Sequence, residues 1–206
     1  DNKNFTAVDG VLYNKDMTTL VLYPKNCSGE FAVPDTVTTI ADYAFYNSPN
    51  ITKVTSGANV KTIGARAFQN CKSLETVVFE DSDTIKKTIS NYAFNNCPAL
   101  SKVDFGNAVK SIGSYSFAVN KLIESIEFPD SVESIGDNAF TTYTDDYRNS
   151  YVENKLKSVK FGKGLKTIGD NAFDYNRKLT NIVFTGKNTT SIGAGAFAHC
   201  SKITEF

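Results

Sequence analysis

The chain repeats one short pattern, I-x-x-x-[AS]-F, seven times. Two of the copies are the same hexapeptide, IGDNAF, at 135–140 and 168–173. Successive copies are 23, 26, 23, 23, 33 and 24 residues apart, and they end at Phe45, Phe68, Phe94, Phe117, Phe140, Phe173 and Phe197. A unit of this length cannot bury a hydrophobic core alone. A repeat at this period therefore indicates a solenoid, in which successive coils stack on one another.

Each coil also contains a candidate strand. An aliphatic residue, a second aliphatic residue and a second Phe follow the repeated Phe at fixed offsets, as in the segment LETVVF. The end of this segment alternates inward and outward as a strand does. Strands this short bury a core by pairing in parallel with the next coil, and the rest of the coil then forms a right-handed crossover. The outward positions include Lys102, Asp104, Glu127 and Lys160, of which Glu127 and Lys160 are expected to be neighbours.

A third set of positions surrounds the Ile of the repeated pattern. Ser or Thr stands directly before it in all seven coils, and the residue after it is Gly in five coils and Ala41 or Ser90 in the others. The small residue predicts either a positive φ angle or a close approach of two backbones. The following x-x-A-F step is predicted to be a short helical turn that places the Phe in the core.

The stretches LETVVF, VKTIGARAFQNC and IESIEFPDSVESIGDNAF resemble the repeats of the BspA-like (Treponema pallidum-type) leucine-rich repeat family. The resemblance covers about residues 37–206. It implies a leucine-rich-repeat solenoid, a right-handed superhelix with a parallel β-sheet of short strands on one face and short helical turns or irregular coil on the other. It also implies a bacterial surface or secreted setting, or one in an anaerobic protist, and a role in binding host proteins or other cells.

The chain divides into an N-terminal cap at 1–36 and seven leucine-rich repeats of about 23 residues at 37–206. The cap is predicted to be a β-hairpin around the polar turn at 14–18, which shields the core of the first coil. Its predicted core residues are Tyr13, Leu20, Leu22 and Tyr23. The sequence ends inside a predicted strand, and we expect the natural chain to continue, because an uncovered strand edge promotes aggregation. It opens without Met or an apolar targeting stretch, so any signal peptide is expected to have been removed.

Two coils carry extra residues, a short insertion around 80–83 and a longer one at 141–153. Insertions in solenoids emerge on one face and often bind partners, and tyrosine and arginine are typical anchors of protein interfaces. The candidate contact residues are Tyr143, Tyr147, Arg148 and Tyr151, with Asp145 and Asp146 tuning the charge. One alternative is a tolerated surface loop. Another is a binding surface on the outward strand positions Lys102, Asp104, Glu127 and Lys160, which lack an aromatic anchor.

The sequence offers little catalytic chemistry. Its 22 basic residues balance 22 acidic ones, so no net charge attracts nucleic acid, and it has no run of 18 apolar residues that could span a membrane. One His and no C-x-x-C argue against a zinc site. No phosphate-binding loop is present, and the acidic stretches complete no calcium loop. We therefore expect no catalytic residue, no metal and no cofactor.

Three cysteines share one position in their coils. Cys71, Cys97 and Cys200 each follow the repeated Phe by three residues. Free cysteine is among the most buried residue types, so this pattern favours thiols packed in the core, while a disulfide between Cys71 and Cys97 stays open. Cys200 follows His199, but adjacent side chains rarely face each other, which argues against a Cys–His nucleophile pair.

The resulting prediction is an extracellular protein-binding module of the adhesin type, within a bacterial surface or secreted protein, without enzymatic activity. Its expected partner is a host or cell-surface protein, with no nucleic acid and no membrane span, and the chain is expected to be a monomer. One alternative is a non-catalytic spacer of a larger surface protein. Another is a parallel β-helix enzyme acting on polysaccharide, which would need Asp, Lys or Arg residues clustered on one exposed strand face.

Overall fold

The structure, a computed structural model, describes residues 2–143 and 153–204. Within these ranges the chain forms strands and turns and no helix. The strands are β1 (Phe5–Val8), β2 (Val11–Asn14), β3 (Thr19–Leu22), β4 (Gly29–Ala32), β5 (Thr39–Ile40), β6 (Ile51–Ser56), β7 (Thr62–Ile63), β8 (Thr76–Phe79), β9 (Lys87–Ile89), β10 (Lys102–Asp104), β11 (Val109–Ile112), β12 (Ser125–Glu127), β13 (Ser134–Ile135), β14 (Ser158–Phe161), β15 (Thr167–Ile168), β16 (Asn181–Phe184) and β17 (Ser191–Ile192). They form a solenoid with two sides of β-sheet and one side of turns.

The longer sheet has ten strands in the order β1-β2-β3-β5-β7-β9-β11-β13-β15-β17. From β3 onward its pairs are parallel, each strand lying against the equivalent strand of the next coil. Most of these strands are the two-residue Ser/Thr-Ile step, in which the Ile is buried in all coils but the last. That the Ser/Thr-Ile steps form a sheet was not predicted from the sequence.

The L-x-x-V-x-F segments form the second side, as predicted. They are divided between a sheet β4-β6-β8-β10 and a sheet β12-β14-β16. The pairing is parallel and has the predicted register, with Lys102 opposite Thr76 and Glu127 opposite Lys160. The predicted parallel sheet of short strands is therefore confirmed, with a division between β10 and β12.

The seven repeated Phe residues stack into one continuous column, which we call the Phe spine. Neighbouring ring centroids are 4.4 to 5.4 Å apart, and the ring planes lie within 19° of parallel. Tyr23 extends the column at its N-terminal end, 4.7 Å from Phe45. The second Phe of four coils meets the spine edge-on, as Phe79 meets Phe94 at 6.0 Å and 89°; the others are Phe105, Phe128 and Phe161. Both arrangements are favoured by the charge distribution of aromatic rings.

The turn that carries the spine Phe is not helical, so that prediction was wrong. Its backbone N–H groups alternate between the same coil and the next: Ala44 donates to Ala41 at 3.2 Å, whereas Phe45 donates to Ala67 at 2.7 Å. A helix would use all of these groups within one coil. The alternation instead places residues in the left-handed region two positions before each spine Phe, at Tyr43, Arg66, Tyr92, Tyr115, Asn138, Asn171 and Gly195.

Each residue of the hexapeptide IGDNAF has a structural role. In the copy at 135–140, the Ile, Ala and Phe are buried. A Cβ atom on Gly136 would lie 2.6 Å from the backbone nitrogen of Ser114, so the Gly permits a close approach of two coils. Asp137 accepts a 2.9 Å hydrogen bond from the N–H of Asp170 in the next coil. Asn138 has a φ angle of 55°, which Asn tolerates better than most residues.

The N-terminal cap contains an antiparallel unit of β1, β2 and β3, and β3 then pairs in parallel with β5. Tyr13, Leu20 and Tyr23 are buried, as predicted. Leu22 is 49% exposed, which corrects its predicted core position. A β-bulge between β2 and β3 shifts the pairing by one residue, from Leu20 opposite Tyr13 to Leu22 opposite Leu12, and this turns Leu22 away from the core.

Candidate functional site

The outward side chains of the two smaller sheets form a surface that we call the strand face. Lys160 and Glu127 form an ion pair across β14 and β12. Lys53 pairs with Glu30 at 2.9 Å in the same way. Exposed pairs of this kind neutralise each other and contribute little energy individually. No outward residue of β6, β8, β10, β12, β14 or β16 is a large aromatic one, so the strand face lacks the usual anchors of a protein interface.

The division between β10 and β12 leaves a groove on the strand face. Its lining includes Lys102 and Asp104 from one sheet and Ser125 and Glu127 from the other. Asp104 accepts a 3.1 Å hydrogen bond from the N–H of Gly106, which fixes its carboxylate at the rim. Of the four predicted residues of this alternative surface, three therefore line one groove, while Lys160 is held beside it by Glu127.

Flat side chains stack along the turn side of the solenoid. The positions two residues before each spine Phe form a column that we call the turn edge. The guanidinium of Arg66 lies 4.5 Å from the ring centroid of Tyr92. The rings of Tyr92 and Tyr115 are 4.8 Å apart and 2° from parallel. In the next two coils the same position holds Asn138 and Asn171, so the series of flat groups changes to amides.

A second aromatic group lies where the long insertion begins. Tyr143 is 42% exposed, and its ring centroid is 5.4 Å from that of Tyr175, which stacks on His199 at 4.1 Å. The Nδ1 atom of His199 is 2.8 Å from Oδ1 of the buried Asp174. Thr142 is buried and donates a 2.9 Å hydrogen bond to the carbonyl of Tyr175. These contacts fix the start of the insertion to the coil that follows it.

The other predicted contact residues lie outside the described residues: Asp145, Asp146, Tyr147, Arg148 and Tyr151.

A pocket of about 440 Å³ lies between these two aromatic groups. We call it the tyrosine pocket, and it is lined by Tyr115, Asn138, Thr141, Tyr143, Asn171, Asp174 and Tyr175. Its volume is in the range of small-molecule sites. Sequence reasoning missed it because its residues come from three successive coils and meet only when the coils stack. The signal that could have found it is the change from Tyr92 and Tyr115 to Asn138 and Asn171 along the turn edge.

The cysteines are free thiols. The Sγ atoms of Cys71, Cys97 and Cys200 each donate to the carbonyl of the spine Phe one coil earlier, at 3.1, 3.1 and 3.2 Å. Asn120 and Asn176 hold the same position in other coils and donate to the same kind of carbonyl. The position therefore supplies a hydrogen bond between coils. Burial raises the pKa of Cys71 and of Cys200 to about 12, so both thiols stay protonated at neutral pH.

The other candidate catalytic pair, His199 and Cys200, is also engaged in hydrogen bonds to other groups. The imidazole of His199 bonds to Asp174, whereas the thiol of Cys200 bonds to the carbonyl of Phe173, so the two side chains are not arranged as a base and its nucleophile. Among residues 2–143 and 153–204, no three potential metal ligands come together. The same part of the chain contains no helix long and apolar enough to cross a membrane.

The family model of the BspA-type leucine-rich repeat region matches residues 25–145 and 147–206, in six copies. The chain belongs to the BspA-type leucine-rich repeat family. The resemblance recognised in the repeats is thereby confirmed, and the Phe spine and parallel strands are the form that these BspA-type repeats take here.

Solved structures of leucine-rich repeat proteins share this fold. One from Eubacterium ventriosum is 31% identical with a TM-score of 0.81, and the alignment covers 100% of this chain and 52% of that one. The Treponema pallidum leucine-rich repeat protein is 24% identical with a TM-score of 0.75, covering 100% and 90%. A leucine-rich cell surface protein from Faecalibacterium prausnitzii is 22% identical with a TM-score of 0.68, covering 99% and 54%. The chain thus spans about half the length of two of these proteins. No curated protein matches the sequence.

Proposed function

We propose that this BspA-type chain is an extracellular protein-binding module of the adhesin type, within a bacterial surface or secreted protein. The observation that carries the proposal is the exposed Tyr143, which packs on Tyr175 at the point where the long insertion leaves the coil. A solvent-exposed aromatic side chain held in place by a second ring is what a protein interface uses as an anchor. The partner is a host or cell-surface protein, and the module binds it as a monomer.

The setting is supported by one structural neighbour. The Faecalibacterium prausnitzii protein that shares the fold is described as a cell surface protein. Leucine-rich repeat proteins of this type are generally non-catalytic. The separate partners of His199 and Cys200 agree with a module that binds without catalysing a reaction.

We place the contact patch on the long insertion. It comprises Tyr143, Tyr147, Arg148 and Tyr151, with Asp145 and Asp146 tuning its charge. Aromatic rings offer a large contact area at low cost in side-chain entropy, and Arg adds several hydrogen-bond donors. The strand face is the weaker candidate because its paired charges present no aromatic anchor.

The test is capture by immobilised extracellular-matrix proteins of the host. Three proteins are compared: the wild type, a variant in which a short Gly-Ser linker replaces 144–152, and the strand-face variant E127Q/K160Q as a matched control. We expect the wild type and the control to be captured. We expect the linker variant not to be captured. Capture of the linker variant together with loss of the control would move the contact to the strand face. A wild type that no matrix protein captures would favour the spacer alternative.

A further inference from the structure

We propose that a row of ion pairs fixes the register in which the coil after the long insertion docks on the coil before it, so that this docking does not depend on the chain segment that joins them. The coil before the insertion contains β12 and β13, and the coil after it contains β14 and β15. The proposal concerns an interaction surface inside the solenoid and does not rest on the protein partner proposed above.

Two stretches of opposite charge lie one repeat apart. Residues 124–133 contain four acidic residues and no basic one, and residues 157–166 contain four lysines and no acidic residue. In each stretch the charges recur at every third residue. Each acid precedes its lysine by 33 residues, the step from Phe140 to Phe173, so the stacking of these two coils brings them together. The four pairs, which we call the charge ladder, are Glu124–Lys157, Glu127–Lys160, Asp130–Lys163 and Glu133–Lys166.

All four pairs of the charge ladder are formed. The distance from nitrogen to oxygen is 3.1 Å in the first pair, 4.0 Å in the third and 2.8 Å in the fourth, and the second pair is also in contact. Lys155 and Lys110 extend the ladder, to Glu124 at 4.0 Å and to Glu133 at 3.5 Å. The hydrogen bonds donated by the ladder lysines lower the pKa of Glu124 and of Glu133, so both carboxylates are charged at neutral pH.

The charge ladder lies where the chain between coils is longest. The step between spine Phe residues is 33 residues here and 23 to 26 elsewhere. A longer connection leaves two coils more freedom to slip before they dock. Elsewhere in residues 2–143 and 153–204, the only ion pairs of lysine with a carboxylate beyond the ladder and its extensions are Lys53–Glu30 and Lys178–Glu153. The pairs are therefore concentrated at the interface whose register the chain itself constrains least.

The spacing of three residues specifies a register that the core pattern alone does not. Side chains of a strand alternate with a period of two, so a slip of two residues would keep the inward residues inward. That slip would place Glu127 opposite Gly162 and Asp130 opposite Leu165, which breaks both pairs. A slip of three residues would keep most charges matched but would turn the strand inside out. Of these registers, only the observed one, with Glu127 opposite Lys160, satisfies both patterns.

The test is native-state hydrogen exchange of the amides that bridge the two coils. These are the N–H groups of Lys157, Phe128 and Lys166, which donate at 2.8 Å to the carbonyls of Glu124, Lys160 and Glu133. Their protection measures the free energy of opening at this interface. Protection factors are compared because they correct for the intrinsic exchange rate of each sequence.

Three variants remove ladder charges without reversing them: the acid-row variant E124Q/E127Q/E133Q, the lysine-row variant K157Q/K160Q/K166Q, and the two combined. Asp130 is left unchanged because its carboxylate also accepts a 2.7 Å hydrogen bond from the N–H of Lys163. The matched control is E30Q/K53Q, which removes an ion pair between β4 and β6, from two coils joined without the long insertion.

We expect protection of the bridging amides to fall about tenfold in each single-row variant, as for the loss of three exposed ion pairs. The combined variant should lose no more, because either row has no partner once the other is neutral. The control should keep wild-type protection at these amides. In 1 M NaCl, where the screening length is about 3 Å, the wild type should lose protection to the level of the variants. Unchanged protection in the single-row variants, or a combined loss equal to the product of the two, would overturn the proposal.

A second measurement tests whether docking is independent of the connecting chain. A protease site is placed in the Gly-Ser linker that replaces 144–152, and the purified protein is cut there. The two pieces should elute together in size-exclusion chromatography, and the bridging amides should keep the protection they had before the cut. Pieces that separate, or bridging amides that lose their protection on cutting, would show that the connecting chain holds the coils together and that the proposal is wrong.

Discussion

Single aromatic residues pack each coil onto the next along the Phe spine. Phe117 is 1% exposed and lies between Phe94 at 5.1 Å and Phe140 at 5.2 Å, with Phe105 edge-on at 5.7 Å. Its ring is therefore enclosed by three other rings, including those of the spine Phe residues on both sides. Phe197, at the last coil, is only partly buried, although it stacks on Phe173 at 5.4 Å. The same residue type thus has a different packing environment in the middle and at the end of the spine.

Replacing Phe117 with Ala should lower the free energy of unfolding by about 3–5 kcal/mol, because it leaves a cavity that neighbouring coils on both sides prevent from closing. Phe197→Ala should cost less, since its site is already partly open to solvent. Chemical denaturation of both variants measures the difference. Equal losses at the two positions would contradict the stacked-coil account of stability.

The four cysteines should differ in reactivity according to their burial. Cys71, Cys97 and Cys200 are buried, and burial raises their pKa values, so little reactive thiolate forms at neutral pH. Cys27 is half-buried and should react with a thiol reagent first. In denaturant all four should react. Finding two unreactive cysteines after denaturation without a reductant would show a disulfide, which the structure does not contain.

The residues that the sequence predicted best are those whose role repeats in every coil. The spine Phe and the register of Glu127 against Lys160 follow from spacing alone. The positive φ angles could not be read from glycine, because Tyr92 and Tyr115 hold them, and bonding to the next coil enforces that backbone conformation. The tyrosine pocket was missed for the same reason, since its residues differ from the repeat instead of following it.

Among the strands, β9 departs from its neighbours because of one buried lysine. Lys87 is fully buried, opposite Val109 of β11, where the register between the two strands shifts. Its Nζ atom donates to the carbonyls of Gly57, Ala58 and Val60 at 2.8, 3.0 and 3.1 Å. The ammonium thereby supplies hydrogen-bond donors to three carbonyls in a turn of the previous coil. The burial of Lys87 could not be predicted from the sequence, because the short insertion around 80–83 moves Lys87 into a position that Val occupies in other coils.

Replacing Lys87 with Met should lower the free energy of unfolding by about 1–3 kcal/mol, because it leaves buried carbonyls without a donor. Burial lowers the pKa of Lys87 below its ordinary value of 10.5, although the carboxylate of Glu80 opposes this. In the pH range directly below 10.5 the unfolded chain therefore binds more protons than the native one, and this group makes the native state more stable as the pH rises.

The stability gap between the wild type and Lys87→Met should accordingly widen between neutral pH and pH 10.5. Denaturation curves of both proteins at several pH values measure it, and using their difference removes the contribution of other titrating groups. A variant as stable as the wild type, or a gap that narrows as the pH rises, would contradict this role for Lys87.

Across the whole molecule, stacking distances are insensitive to what is inserted between coils. Phe140 and Phe173 flank the long insertion, yet their rings are 5.1 Å apart and 3° from parallel. Phe117 and Phe140, with no insertion between them, are 5.2 Å apart and also 3° from parallel. The solenoid thus keeps one spacing while the chain between coils varies, so a BspA-type array can accommodate an insertion without rebuilding its core.

Replacing 144–152 by a short Gly-Ser linker should therefore leave the melting temperature nearly unchanged. The flanking contacts remain, including the bond from Thr142 to the Tyr175 carbonyl and the one from the Lys155 N–H to the Lys121 carbonyl. The free energy of loop closure also changes slowly with length.

Calorimetry measures the outcome, with a Gly-Ser replacement of 80–83 as the control. That control removes the Asp81 carboxylate, which accepts a 2.7 Å hydrogen bond from the N–H of Asn107 in the next coil. It should cost about 1 kcal/mol and lower the melting temperature by about 2–4 °C. If the linker variant melts well below the wild type while the control does not, the long insertion supports the solenoid and is not a free binding segment.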